Sequence, residues 1–183
     1  MSQTVITTQR LVLRPWRPSD REAYARMNQD PLVMAHFPAL MTPAESDTHV
    51  DAIERHVGEH GFGLWAVELP SRASFIGYVG LSVPRFDAHF TPAVEIGWRL
   101  ASEHWGRGYA TEGARAALAF GFETLGLREI VSFTVPANLR SRRVMERLGM
   151  THDPDDDFDH PKLPEGHPLR RHVLYRVTTG TGD

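Results

Sequence analysis

VEIGWRLASEHWGRGY, Val94 to Tyr109, is the stretch on which the reading of this chain turns. Val94, Ile96, Trp98 and Leu100 alternate with Glu95, Gly97 and Arg99, the period-two pattern of a strand with one buried face. Glu95 therefore stands on the polar face, beside an expected ligand cleft. Gly106 and Gly108 follow one residue apart, and Ala110-Thr111-Glu112 leads into an amphipathic run. Glycines at that junction let backbone N–H groups converge without obstruction by Cβ, at the positive end of a helix dipole, which predicts an anion cradle. Two better-known phosphate loops do not fit. A dinucleotide fingerprint starting at Gly106 has Thr111 where its last glycine belongs, and no Gly-Lys-Ser/Thr occurs in the chain.

The flanking segments make the stretch more specific. E-H-W-G-R-G-Y-A-T-E, preceded by V-E-I-G-W and followed by N-L-R-S-R-R-V-M-E-R-L-G-M (Asn138–Met150), resembles the GNAT superfamily of acetyl-CoA-dependent N-acetyltransferases. Within it, the chain looks most like the ribosomal-protein N-terminal (RimJ/RimL-type) group, whose pattern also matches T-x-R-L-x-L-R-P-W from Thr8 to Trp16 and L-R-R-H-V-L-Y-R from Leu169 to Arg176. The resemblance implies a mixed α/β fold with a central, mostly antiparallel twisted sheet flanked by helices, and a strand–turn–helix site for acetyl-CoA. It implies that backbone N–H groups around Gly106, Arg107, Gly108, Tyr109 and Ala110 take the CoA pyrophosphate, with Trp98 and Leu100 on the strand leading to it. Glu103 departs from the family's usual Gln/Arg at the first position of the turn. Asn138 matches an asparagine near the pantetheine arm. Many relatives carry a tyrosine seven residues later to protonate the departing thiolate; here that position is Met145, and the ribosomal-protein group points to Ser141 instead. Of the basic residues Arg140, Arg142, Arg143 and Arg147, Arg143 is assigned to the cofactor.

Composition sets the outer limits. A chain of 183 residues with 41% hydrophobic content suits one domain, 1–183, with a real core. Twenty basic against 23 acidic residues leave a net charge of −3, so no positive field argues for nucleic acid or an anionic membrane as partner. The absence of cysteine excludes disulfides and thiolate catalysis and is compatible with a cytoplasmic location. The N-terminus lacks an apolar signal core, and no apolar run approaches the ~18 residues of a membrane span. A homodimer is left open.

In chain order, Val5–Trp16 reads as a first strand, and Pro18-Ser19-Asp20 opens a helix with Ala23, Tyr24 and Met27 on one face. Residues 31–42 form an apolar, proline-broken loop that suits the wall of a cleft. Thr42-Pro43-Ala44-Glu45 is an N-cap sequence, and the helix it opens ends near Gly61. Inside that helix, His56-Val57-Gly58-Glu59-His60 matches a zinc-peptidase string, but Gly58 is expected to interrupt the helix; no metal is expected, and the string reads as a solvated helix end. Strands follow at 63–69 and 74–83, joined by a hairpin; Gly77 and Gly80 mark a close backbone approach. Consecutive strands without intervening helices predict an antiparallel meander. Past the turn, the spacing of Ala114, Ala117, Leu118, Gly121, Phe122 and Leu125 predicts a helix closed by Gly126, then a strand at 130–135 and a helix capped by Asn138 and closed by Gly149. A long loop, 153–168, precedes a last strand containing Leu174, Tyr175 and Val177.

The implied chemistry needs a held thioester, a proton acceptor for the amine and stabilisation of the oxyanion. Glu95 is the first candidate base, its structural alternative being an ion pair with Arg99. His160, in the acidic 153–168 loop beside Asp159, is the second, with a pKa better matched to neutral pH. The expected acceptor is a primary amine, either a protein N-terminus or a small molecule such as an antibiotic or polyamine; an acyl-CoA-binding sensor without catalysis is the reading from another class, kept open by Met145.

Overall fold

The computed structural model describes residues 4–179. Its elements run β1 (Ile6–Thr7), β2 (Val12–Arg14), α1 (Asp20–Asn28), α2 (Pro43–His60), β3 (Leu64–Leu69), β4 (Ala73–Ser82), β5 (Glu95–Leu100), α3 (Tyr109–Ala119), β6 (Glu129–Thr134), α4 (Leu139–Arg147), β7 (Thr151–His152), β8 (Phe158–Asp159) and β9 (Arg171–Thr178). The strands form one sheet in the order β1-β2-β3-β4-β5-β6-β9-β7, with β8 paired to β9. Hairpin and loop connections make the pairs antiparallel, and the crossover through α3 makes β5 and β6 parallel. The expected meander and strand–helix–strand unit are therefore both present.

Several local expectations are corrected. Val5–Trp16 is a small hairpin rather than one strand, because Thr8 turns the chain: its hydroxyl accepts from the Leu11 N–H at 2.9 Å and its own N–H donates to the Leu11 carbonyl at 2.9 Å. Gly58 does not interrupt α2. The capping box of Thr42 and Glu45, the left-handed Gly61 and the burial of Val50, Ile53 and His56 together outweigh the ~1 kcal/mol that one helical glycine costs. α3 widens into a π-helical turn over Phe120–Thr124, where Leu125 N–H reaches the Phe120 carbonyl. The 153–168 segment is tied to the sheet through β8, and His160 N–H donates to the Arg170 carbonyl at 2.8 Å.

Both faces of the sheet are covered. One carries α3 and α4 over Leu11, Val67, Ile76, Val79, Leu81, Ile96 and Ile130, with Met145 of α4 buried among them. The other carries α1 and α2 over Trp16, Tyr24, Ala66 and Tyr78 and, further along, an aromatic nest of Phe90 and Phe158 against Val131 and Leu174. Residues paired across strands share a face, so the register Tyr78↔Arg99, Ser82↔Glu95 and Glu95↔Val131 puts Glu95 and Gly97 between these two nests. The alternation in β5 thus separates two covered faces, and Arg99, expected on a polar face, is only 7% exposed. Among the described residues no helix is long and apolar enough to cross a membrane.

Gly77 shows how tightly β4 and β5 approach. Its φ is +133°, and a Cβ there would lie 2.1 Å from the Arg99 carbonyl oxygen, whereas at Gly97 the nearest neighbour is Glu95 Oε1 at 3.9 Å. Gly77→Ala is expected to lower unfolding free energy by at least about 2 kcal/mol and Gly97→Ala by less than about 1 kcal/mol. Urea denaturation of the pair checks this, and equal losses contradict it.

Candidate active site

The turn after β5 is built by conformations that favour glycine. A short 3₁₀ segment, Ser102–His104, brings the chain to Gly106 at φ +72° and Gly108 at φ +80°, after which α3 begins at Tyr109. Gly108 caps α3 without a side chain, so the first N–H groups of that helix have no internal partner and point out of its positive end. Gly106 has open space around it and Gly108 meets only the end of Arg10, so φ rather than crowding demands glycine.

Two residues remote in sequence, Thr8 and Arg10, hold this turn together with the nearby Glu112. Glu112, in the first turn of α3, accepts from the Thr8 hydroxyl at 2.6 Å, the Arg10 N–H at 2.8 Å and Arg10 Nε at 2.6 Å. Arg10 then donates through Nη1 to the Arg107 carbonyl at 2.9 Å, with its guanidinium 4.8 Å from the Tyr109 ring centroid. Burial alone raises the Glu112 pKa, but the bonds from Thr8 and Arg10 outweigh it and hold the carboxyl below its usual value. The Thr8-x-Arg10 sequence at the start of the chain is thus a fastener for the glycine turn.

Beside the turn the sheet opens. Six registered pairs join β4 to β5, but only Glu95↔Val131 joins β5 to β6. The Ser132 hydroxyl takes the Ile96 carbonyl at 2.9 Å, and beyond it the two parallel strands have no further registered pair. An extended ligand carrying amide groups can pair with backbone in such a gap. Trp98 borders it, its indole N–H donating to Ser141 Oγ of α4 at 3.3 Å. The Asn138 side chain is occupied as a cap, accepting from Ser141 N–H at 3.3 Å and donating to Thr134 Oγ1 at 2.9 Å. Leu100 is a core residue whose carbonyl accepts from the Trp105 indole at 2.8 Å. Arg143 is exposed, whereas Arg140 stacks 4.6 Å from the Trp105 ring centroid, against the glycine turn. Met145, at the position where the family resemblance implied a tyrosine, is core.

Glu95 lies on the opposite face of β5. Burial pushes its pKa up to about 8, and the cross-strand Ser82 hydroxyl works against that shift. The ion pair with Arg99 is not formed. Residues four apart on a strand are separated by about 13 Å, and the Arg99 guanidinium turns away to Asn28 Oδ1 at 2.8 Å. His160 stands on the same sheet face but inside the aromatic nest, its ring 4.6 Å from that of Phe86 and 5.1 Å from that of His172. Burial lowers its pKa, and its Nδ1 accepts from the Lys162 N–H at 3.3 Å. His56 of the zinc-like string is a buried fastener rather than a solvated residue: Nδ1 meets the Phe62 carbonyl at 3.0 Å and Nε2 accepts from the Val83 N–H at 3.0 Å.

This geometry, a glycine turn at a helix start beside a gap between two parallel strands, can be set beside known proteins. The family described as "Acetyltransferase (GNAT) domain" matches residues 10–151. The chain belongs to the GNAT acetyltransferases. It is 34% identical over 162 residues to the FsC-acetyl coenzyme A-N(2)-transacetylase of Aspergillus fumigatus, covering 82% of this chain and 66% of that protein. The crystal structure of an acetyltransferase from Agrobacterium tumefaciens superposes with a TM-score of 0.78 at 29% identity, over 98% of this chain and 96% of that one. Mycobacterium smegmatis RimJ, solved with CoA-disulfide, shares the fold at a TM-score of 0.72 and 21% identity, over 92% of this chain and 82% of that one. As a GNAT enzyme the chain transfers an acetyl group with acetyl-CoA as co-substrate.

The sequence named Glu95, the glycines and Asn138 as candidates and Arg140 only as one of four basic residues; it assigned no role to Thr8, Arg10 or Glu112. Their partners lie up to 104 positions away, as for Thr8 and Glu112. The one available signal was the T-x-R string itself, which served only to support the family resemblance.

The Glu95 pKa has a thermodynamic consequence. A carboxyl whose pKa rises from about 4.3 unfolded to about 8 folded stays protonated in the native state while the unfolded chain ionises. Native stability therefore declines between those two values and levels off above the higher. Glu95→Gln removes this liability, so its thermal midpoint should exceed that of the wild type by more at pH 8 than at pH 5, by a few °C. An equal difference at both pH values contradicts the raised pKa.

Proposed function

We propose that the protein transfers acetyl directly from acetyl-CoA to a primary amine that approaches on the Glu95 face, with no covalent enzyme intermediate. The observation carrying this reading is Glu95 itself: a carboxyl at the strand gap, without a cationic partner among the described residues, whose pKa burial pushes up to about 8. A base of that strength is matched to an ammonium ion of pKa about 10. The amine nitrogen attacks the thioester carbonyl, the new C–N bond forms as the C–S bond breaks, and the amine's proton passes to Glu95, directly or through water.

On the other face, the N–H groups at Gly106–Ala110 take the pyrophosphate, Arg140 lies close enough to the turn to contribute charge, and the pantetheine arm pairs with β5 in the gap. Ser141 supports proton delivery to the thiolate. Its oxygen accepts from Trp98, which leaves its own hydrogen free to donate. His160 is a wall of the acceptor pocket rather than the base, since its ring is packed among aromatics and burial lowers its pKa. The acceptor is a primary amine, of a protein N-terminus or of a small molecule.

These roles separate experimentally. Gly108→Val is expected to weaken calorimetric acetyl-CoA affinity at least about tenfold, through obstruction of the cradle and strain at positive φ. Ser141→Ala is expected to leave affinity intact and lower turnover about ten- to a hundredfold. Unchanged affinity in a folded Gly108→Val protein removes the cradle assignment, and wild-type turnover in Ser141→Ala removes the acid.

The base is tested by pH. Wild-type kcat/KM should rise with pH along a limb centred near the Glu95 value of about 8. Glu95→Gln should depress kcat/KM and abolish the limb, while His160→Asn should change chiefly acceptor KM. Loss of the limb in His160→Asn with a normal Glu95→Gln reverses the assignment. Absence of thiol release with any amine, in protein that binds acetyl-CoA, favours the sensor.

A further inference from the structure

Among the described residues two arginines are buried, and they are treated differently. Arg14, 3% exposed, has its charge answered: Nη1 and Nη2 reach both oxygens of Asp20 at 2.8 and 2.9 Å, and Nε reaches Glu68 at 2.7 Å. Arg99, 7% exposed, belongs to none of the ion pairs among the described residues. Nη1 donates to Asn28 Oδ1 at 2.8 Å and to the Tyr24 oxygen at 3.3 Å, and it lies 4.0 Å from Met41 Sδ. Nε is buried with no acceptor at all.

The groups that bond to or stack on Arg99 are neutral. Burial raises the Tyr24 and Tyr78 hydroxyls, so neither is a phenolate at neutral pH. His49, 2.6 Å from the Tyr24 hydroxyl, is pushed down to about 4 by burial and then by the Arg99 charge. Asn28 donates onward to Ser46 at 3.1 Å and remains an amide. A buried cation without a counterion is expensive, and the same core shows at Arg14 that the fold can supply one. Such a charge is retained where a ligand completes it.

The place is right for a ligand. Arg99 shares the β5 face with Glu95, and Gly97 between them leaves the floor open, a Cβ there meeting nothing closer than Glu95 Oε1 at 3.9 Å. Its roof is Phe37, whose ring centroid is 4.0 Å from the guanidinium carbon, on the 31–42 segment that also exposes Leu32 and Leu40 to solvent. We propose that Arg99 anchors a carboxylate of the acceptor, so that the amines this enzyme acetylates carry an acidic group at the far end. This rests on the reading of Glu95 as the base facing the amine. The Cα separation of about 13 Å, shortened by the reach of both side chains and a relay water, fits an amine-to-carboxylate span of roughly 5–8 Å. That span excludes simple α-amino acids. It fits an ω-amino carboxylate or a free N-terminal residue followed by an acidic one.

Matched acceptors test this at saturating acetyl-CoA: 4-aminobutanoate against 4-aminobutanamide, and Ala-Asp-amide against Ala-Asn-amide. In at least one pair the acid should exceed its neutral partner about tenfold or more in kcat/KM, mainly through KM, and the pair that responds identifies the source of the carboxylate. Arg99→Gln should bring the ratio to about one. Asn28→Asp is the second variant, since it supplies an internal counterion beside Nη1: the ratio should again fall to about one, with a thermal midpoint at or above wild type and acetyl-CoA affinity unchanged. A ratio near one for both pairs in the wild type, or one that survives Asn28→Asp, overturns the anchor while leaving the acetyltransferase reading intact. If no amine is acetylated, that reading fails separately. Calorimetric titration of glutarate into the CoA-loaded protein then decides the anchor, with binding heat expected in wild type and lost in Asn28→Asp; no heat in wild type overturns it.

Discussion

The backbone of β5 beyond Ile96 has neighbours on only one edge. On the β4 side every residue from Glu95 to Leu100 is in register, while on the β6 side the ladder ends with Glu95 and Val131. Unpaired peptide groups inside a protein need partners, and here only a ligand or water can supply them. The rest of the architecture keeps that gap from closing. α3 and α4 lie on one face, Trp98 and Ser141 meet across the opening, and the Ser132 hydroxyl takes the carbonyl that a continued ladder would have used. Gly77, with its positive φ, lets β4 approach β5 so closely that β5 is held firmly from the other side.

Charge is distributed around the gap by environment rather than by residue type. Glu112 and Glu95 are both glutamates near the site. The first is held low by Thr8 and Arg10 and acts as an anionic clamp; the second is desolvated and pushed up to about 8. Arg14 and Arg99 divide in the same way, one surrounded by carboxylates and the other by neutral oxygen, sulfur and aromatic faces. In each pair, the group with its charge answered fastens the scaffold, and the groups without, Glu95 and Arg99, share one face of β5.

This division explains what could be read in advance. The glycine turn, the Thr42–Glu45 capping box, the Asn138 cap and the meander are local patterns whose causes lie within a few residues. The Glu112 clamp joins positions about a hundred apart, and no periodicity announces it. Arg99 defeated the alternation rule because that rule assigns polar residues to an open face, and here α1 and the 31–42 segment cover the face. His56 was expected at a solvated helix end, but it is buried and its two nitrogens serve the backbone at Phe62 and Val83.

Glu95 and Arg99 are opposite charges on one face of one strand, and their separation is the last consequence of the geometry. Had they stood two apart rather than four, at about 7 Å between Cα atoms, they would have met as an ion pair, the glutamate would have been held low, and neither would have been available to a ligand. The intervening Gly97 adds no side chain to bridge them, and Asn28 and Tyr24 draw the guanidinium away from the carboxyl. The strand therefore keeps a carboxyl and a guanidinium apart at fixed spacing without an ion pair between them. Both carry a stability penalty that the two covered faces of the sheet must offset.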